Sequence, residues 1–219
     1  MNVEANPTRA LVWGASGHAA VVADAARRSL AWDVVGFIDE VKPHRRGESF
    51  AGSVVRGGGD ALNDDALAGV RHVLLGVGDN RARLRIAGEV EQRGWLLGSV
   101  VHPRACIGDD VELAPGVFVG AGAVVNAGSV LGRACIINTN AVVEHHCLLE
   151  EGVHVAPGAL LAGNVKVGRL AWIGLGAVVI EKCEIGAESV LGAGAVVVRD
   201  VERGVVAYGV PAAARRPIA

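Results

Sequence analysis

The chain has 219 residues, a formal net charge of -2, 51% hydrophobic residues, only 4% aromatics and 31 glycines. That length suffices for one large domain or two small ones with a real core. The lack of a long basic run argues against nucleic acid or an anionic membrane surface as partner. No apolar run reaches the ~18 residues of a membrane helix, and the N-terminus lacks the basic, apolar and cleavage-site pattern of a signal peptide. The four cysteines, Cys106, Cys135, Cys147 and Cys183, form no CxxC pair, so the expectation is a cytoplasmic protein with reduced thiols and no membrane insertion.

The first half alternates short apolar strands with helices. A strand through Leu11, Val12 and Trp13 runs into Gly14-Ala15-Ser16-Gly17-His18, and a helix follows with Val21, Val22 and Ala25 as its apolar face. Such a glycine turn aims backbone N–H groups and a helix N-terminus at an anion, typically phosphate. It is not the full GxGxxG fingerprint. A second strand, Val34 to Ile38, ends at Asp39-Glu40, where an acid can meet a ribose hydroxyl or base edge. A third, Val73 to Gly78, leads into Asp79-Asn80 and a helix whose Arg81, Arg83 and Arg85 read as a solvated face. His44 and His72 read as surface residues. The alternation predicts a small Rossmann-like α/β domain with a parallel sheet over residues 1–100, with its ligand beyond the strands' carboxyl ends.

The second half, 101–219, is periodic. From Ile107 to Val197 sixteen successive sixes each begin with a branched aliphatic, and the residue four places on is always Val, Ala, Ser or Cys. Glycine often follows the aliphatic directly, as at Gly108, Gly132 and Gly168. A helical stripe recurs at 3.6 residues and cannot produce this period. Strands separated by corners can, with the aliphatic inside, the small residue at the bend, and glycine for backbone angles that other residues resist. Cys135, Cys147 and Cys183 occupy the small slot, where a free thiol packs as a small hydrophobe.

The six-residue rhythm resembles the left-handed parallel β-helix of hexapeptide-repeat acyltransferases. Together with Gly-Ala-Ser-Gly-His, Phe-Ile-Asp-Glu and Gly-Val-Gly-Asp-Asn, it resembles the sugar O/N-acyltransferases over nearly the whole chain. The resemblance implies three sixes per coil, a homotrimer with active sites between subunits, acetyl-CoA as co-substrate and no metal. It implies that Ser16, Gly17 and His18 face the diphosphate of a nucleotide-linked amino sugar, Asp39 and Glu40 its nucleoside, with Val77 and Gly78 lining the same pocket. It makes His145 the base, with Glu144, His146 and Asn138 beside it. His154, Gly163, Leu175 and Ala193 become the acetyl-CoA wall. This sequence departs from the family where a carboxylate often follows the base, since His146 stands there.

Coil stacking at 18 residues puts Ala127 and Gly163 on either side of His145, leaving room for a cofactor. An imidazole can take a proton from an attacking amine or hydroxyl, and no cysteine or serine sits with a base as a nucleophile. The reading is direct attack in a ternary complex. His154, half a coil from His145, would meet it across a subunit boundary. O-acetylation of a sialic-type sugar is the alternative. Zinc on His145, His146 and His154 is disfavoured because adjacent strand residues point apart. A non-catalytic scaffold is disfavoured by the presence of the base and both cofactor turns.

Overall fold

The computed structural model describes residues 6–218. Six strands and two helices build the first unit: β1 (Thr8–Trp13), α1 (Gly17–Arg28), β2 (Trp32–Ile38), β3 (Ser49–Phe50), β4 (Ser53–Gly57), β5 (His72–Leu75), α2 (Asn80–Gln92) and β6 (Leu96–Gly98). The sheet order is β3-β4-β2-β1-β5-β6. All pairs are parallel except β3 with β4. β1 is buried from Ala10 to Trp13, as a central strand covered on both faces must be. On α1 the buried face is Ala19, Val22, Ala23, Ala25 and Ala26, while Val21 is 45% exposed. The predicted face was therefore one residue too wide. His44 is exposed; His72 is half-buried, its ring 5.4 Å from that of Trp32.

From Val100 onward the chain winds as two-residue strands separated by corners, in the left-handed β-helix expected. Each strand pairs in parallel with the strand 18 residues on: Val124 with Val142, Val142 with Leu160, Leu160 with Val178. Three sheets result, and a hairpin of Val205–Gly209 and Ala212–Pro217 closes the end. The interior is a column of aliphatics, among them Val119, Val125, Leu131, Ile137, Val143 and Leu149, all 0% exposed. Each such burial contributes roughly 1.5–3 kcal/mol, so every coil adds to the stack what it could not bury alone. Cys135, Cys147 and Cys183 are buried in the small slot.

The glycines after the aliphatics have a different cause from the one expected. A Cβ on Gly168 would lie 2.5 Å from the Ala187 nitrogen, and one on Gly132 2.7 Å from the backbone of the next coil. Close coil approach, rather than unusual backbone angles, excludes a side chain there. The unusual angles fall two residues later. Every sixth residue from Asp110 to Gly194, whatever its type, has positive φ, including Asn140, His146 and Asn164. Each corner thus carries one left-handed residue that turns the strand into the next face.

The three outward faces differ in chemistry. One shows Val100, Phe118, Ile136, His154, Trp172 and Val190; there Phe118 and Ile136 share a core with α1. A second shows Glu112, Val130, Leu148, Lys166 and Glu184, and so carries all the charged residues at these positions. The third shows Cys106, Val124, Val142, Leu160, Val178 and Val196, and so is apolar throughout. Among the described residues no helix is long and apolar enough to cross a membrane.

Candidate active site

At the carboxyl ends of β1, β2 and β5 lies a cavity of about 450 Å³, whose lining includes Ser16, Asp39, Glu40, Val77 and Gly78. The turn at its floor needs glycine: Gly14 has φ +127°, and a Cβ there would lie 2.5 Å from the Gly76 carbonyl oxygen. Ser16 caps α1 by position, yet its hydroxyl makes no capping bond. Asp39 accepts hydrogen bonds from the Lys42 backbone N–H and from Arg45, each at 2.9 Å. Glu40 accepts one from the Gly59 N–H at 2.7 Å. Both carboxylates therefore also brace the cavity wall. Arg45, which also donates to the Ala15 carbonyl, lines the cavity; sequence reasoning missed it because nothing periodic marks its loop. A hollow of about 520 Å³ on the charged solenoid face, beside Lys166 and Glu184, contains none of the predicted residues.

Gly17 opens α1, and His18 turns from the cavity toward the solenoid. Its ring meets Phe118 edge-on at 5.4 Å and lies 6.5 Å from the ring of His154. His154 is 4% exposed and packs against Trp172. The Asn138 side-chain oxygen accepts from the Thr139 N–H at 2.8 Å, which orients its amide nitrogen toward His154 Nε2 at 3.1 Å. Asn138 therefore donates to His154, and the His154 proton sits on Nδ1. The expected place for Asn138 beside His145 is thus corrected: its amide serves the other histidine. His154 Nδ1 and His18 Nε2 are both buried, and a hydrogen bond to the Gly78 backbone favours the His154 proton. Burial, and then the Arg83 charge, push His18 down to about 4 and His154 down to about 3; the His18 ring adds to the shift at His154. Both rings are neutral at neutral pH.

His145 and His146 lie exposed on the corner between the apolar and the charged faces. Coil stacking places them as expected, with His146 N–H bonding Ala127 O at 3.0 Å and Asn164 N–H bonding His145 O at 2.9 Å. A Cβ on Gly163 would come within 2.5 Å of the His145 ring, so glycine is what admits that imidazole. Glu144 is half-buried; its backbone carbonyl accepts from the Ser129 hydroxyl. The expectation that His145 and His146 point apart is overturned: their Nδ1 atoms are 3.0 Å apart. Strand alternation does not apply, because the strand ends at Val143 and His146 has φ +56°. Leu175 and Ala193, both exposed, stack with Thr139 and Pro157 on the corner at the other edge of the apolar face. No group of three or more His, Cys, Asp or Glu that could hold a metal ion occurs among the described residues.

Arg83, expected on a solvated helix face, is 0% exposed. Its five N–H groups meet five neutral acceptors: Ala134 O, Val77 O, Gly78 O, Asn80 Oδ1 and Gly152 O, at 2.8–3.3 Å. Asn80 in turn donates to the carbonyls of Leu170 and Ala171. One arginine thus ties the floor of the cavity to two coils, and Asn80 adds a third. Arg81 does bond outward, to Glu188, and Arg85 to Glu89.

Residues 9–90 match the family model of the PglD N-terminal domain. The fold aligns with a histidine-to-alanine mutant of GDP-perosamine N-acetyl transferase from Caulobacter crescentus, solved with CoA and GDP-perosamine. That match has TM-score 0.89 and 38% identity, and covers 94% of this chain and 96% of that one. The acetyltransferase domain of PglB from Neisseria gonorrhoeae, solved with acetyl coenzyme A, aligns with TM-score 0.88 and 36% identity over 95% and 100% of the two chains. Among curated relatives, serine acetyltransferase of Escherichia coli is 39% identical over 85 residues, 37% of this chain and 31% of the relative, so less than a third of that protein is matched. With 94–95% of its length aligned, the chain belongs to the sugar acyltransferases of the hexapeptide-repeat family.

Proposed function

We propose that the protein transfers the acetyl group of acetyl-CoA to the amino group of a nucleotide-linked amino-deoxy sugar, in the cytoplasm, by direct attack within a ternary complex. The observation that carries this reading is the joining of the cavity of Ser16, Asp39, Glu40, Val77 and Gly78 to a solenoid whose corner exposes His145 in space left by Gly163. The similarity to enzymes solved with CoA, acetyl-CoA and GDP-perosamine supports the same two substrates here.

Ser16 and the N-terminus of α1 receive the diphosphate, Asp39 and Glu40 border the nucleoside, and Val77 and Gly78 complete the pocket. The apolar face from Cys106 to Val196 keeps its side chains partly or fully exposed, Leu160 at 42%, which supports a homotrimer packed on that face. Its edges are the His145 corner and the corner of Thr139, Pro157, Leu175 and Ala193, so packing would bring one chain's base beside its neighbour's acetyl-CoA wall. The amine lone pair attacks the thioester carbonyl, and His145 Nε2 takes the proton. The C–S bond breaks and CoA leaves as a thiolate, which regains the proton.

Thiol release from acetyl-CoA across UDP-, GDP- and dTDP-linked amino sugars tests the reading. One amino sugar should release CoA in step with its consumption, and His145→Ala should lower kcat about 10²–10⁴-fold. CoA release before any sugar is added, or only with hydroxyl sugars, would overturn it.

A further inference from the structure

We infer that His146 is a positioning residue for His145: it accepts the His145 Nδ1 proton and so keeps the Nε2 lone pair of His145 turned outward. The inference rests on the reading of His145 as the base. The two Nδ1 atoms are 3.0 Å apart and the rings stand at 81°, a geometry in which one nitrogen donates and the other accepts. Neither ring is placed loosely. A Cβ on Gly128 would lie 3.0 Å from His146 Cδ2, and one on Gly163 2.5 Å from His145 Cε1, so each ring occupies space left by a glycine of an adjacent coil. The left-handed φ of His146 turns its side chain back over the corner toward its neighbour.

The pair has two neutral arrangements. In one, His145 carries its proton on Nδ1, donates to His146, and presents an unprotonated Nε2. In the other, His146 donates, His145 is protonated on Nε2, and the base is blocked. Few charges compete. The stacked neighbours Ala127, Gly128, Gly163 and Asn164 are uncharged, and Glu144 precedes His145. Asp109 and Asp110 stand two coils away on one side, with Glu181 and Lys182 on the other.

Steady-state kcat and KM against pH test this in His146→Asn, His146→Asp and His146→Ala, with His145→Ala as reference. Asn and Asp, like His, tolerate the left-handed backbone, and each offers an oxygen acceptor near the Nδ1 position. His146→Ala should lower kcat about tenfold or more with both KM values within twofold, and His146→Asn should restore it. His146→Asp should move the acid limb of kcat up by about one pH unit, because a carboxylate favours the charged imidazole. Wild-type kcat in His146→Ala, or an acid limb unmoved in His146→Asp, would overturn the inference while leaving His145 as the base. Full activity in His145→Ala would remove the base reading itself and this inference with it.

Discussion

Replacing Arg83 by Lys is expected to cost about 3 kcal/mol of folding stability. The guanidinium spends all five donors, on four backbone carbonyls and the Asn80 amide oxygen, with no exposed surface. An ammonium has three donors in a different geometry, so at least two buried acceptors lose their partner. Each such loss costs about 1–3 kcal/mol, and carbonyls that keep a second contact lie at the lower end. Burial pushes Arg83 down to about 10, still charged at neutral pH, so the charge itself persists in the lysine variant. Arg83→Met removes every donor and should cost about 4–5 kcal/mol, the upper end for point changes. Urea unfolding followed by tryptophan fluorescence measures both, through the midpoint at constant slope. Because Val77 and Gly78 both accept from Arg83 and line the cavity, Arg83→Lys should also raise KM for the nucleotide sugar and leave KM for acetyl-CoA unchanged. A stability loss below about 1 kcal/mol, or a rise confined to the acetyl-CoA KM, would refute the strut.

Acid should destabilise the protein through its buried imidazoles. The unfolded chain protonates His18 and His154 near pH 6.5, whereas the folded chain holds them neutral until about 4 and about 3. Their stability contribution is full above pH 6.5 and is lost as pH falls toward those values, by about 2 kcal/mol each at pH 5. The urea midpoint at pH 5 against pH 7.5 reads this; an equal fall in a His18→Gln/His154→Gln chain would assign the loss elsewhere. If the site is shared between subunits, mixing inactive His145→Ala and His154→Gln chains after co-refolding should recover part of the wild-type rate. No recovery, with mixed assemblies demonstrated by differential tagging, would place each site within one chain.

The solenoid was legible because its determinants are local and repeated. An aliphatic at each sixth place from Ile107 and a small residue at each bend state the period without any knowledge of contacts. The same holds for the strand–glycine–helix turns, whose residues Ser16, Asp39, Glu40, Val77 and Gly78 meet at one cavity because parallel strands all end on the same side. Three features were beyond reach. Arg83 resembled its solvated neighbours, and its role depends on carbonyls 51 and 69 residues away that the docking of α2 brings within reach. Asn138 sits seven residues before His145 yet serves His154, because the coil carries it onto the face against α1. His146 obeyed strand alternation on paper; a left-handed corner residue, recurring at that place in every six, folds it back onto His145. Periodic burial is written along the chain, one residue at a time. Which polar atoms meet depends on how the coils and the helices dock, and that is decided only when the whole chain is packed.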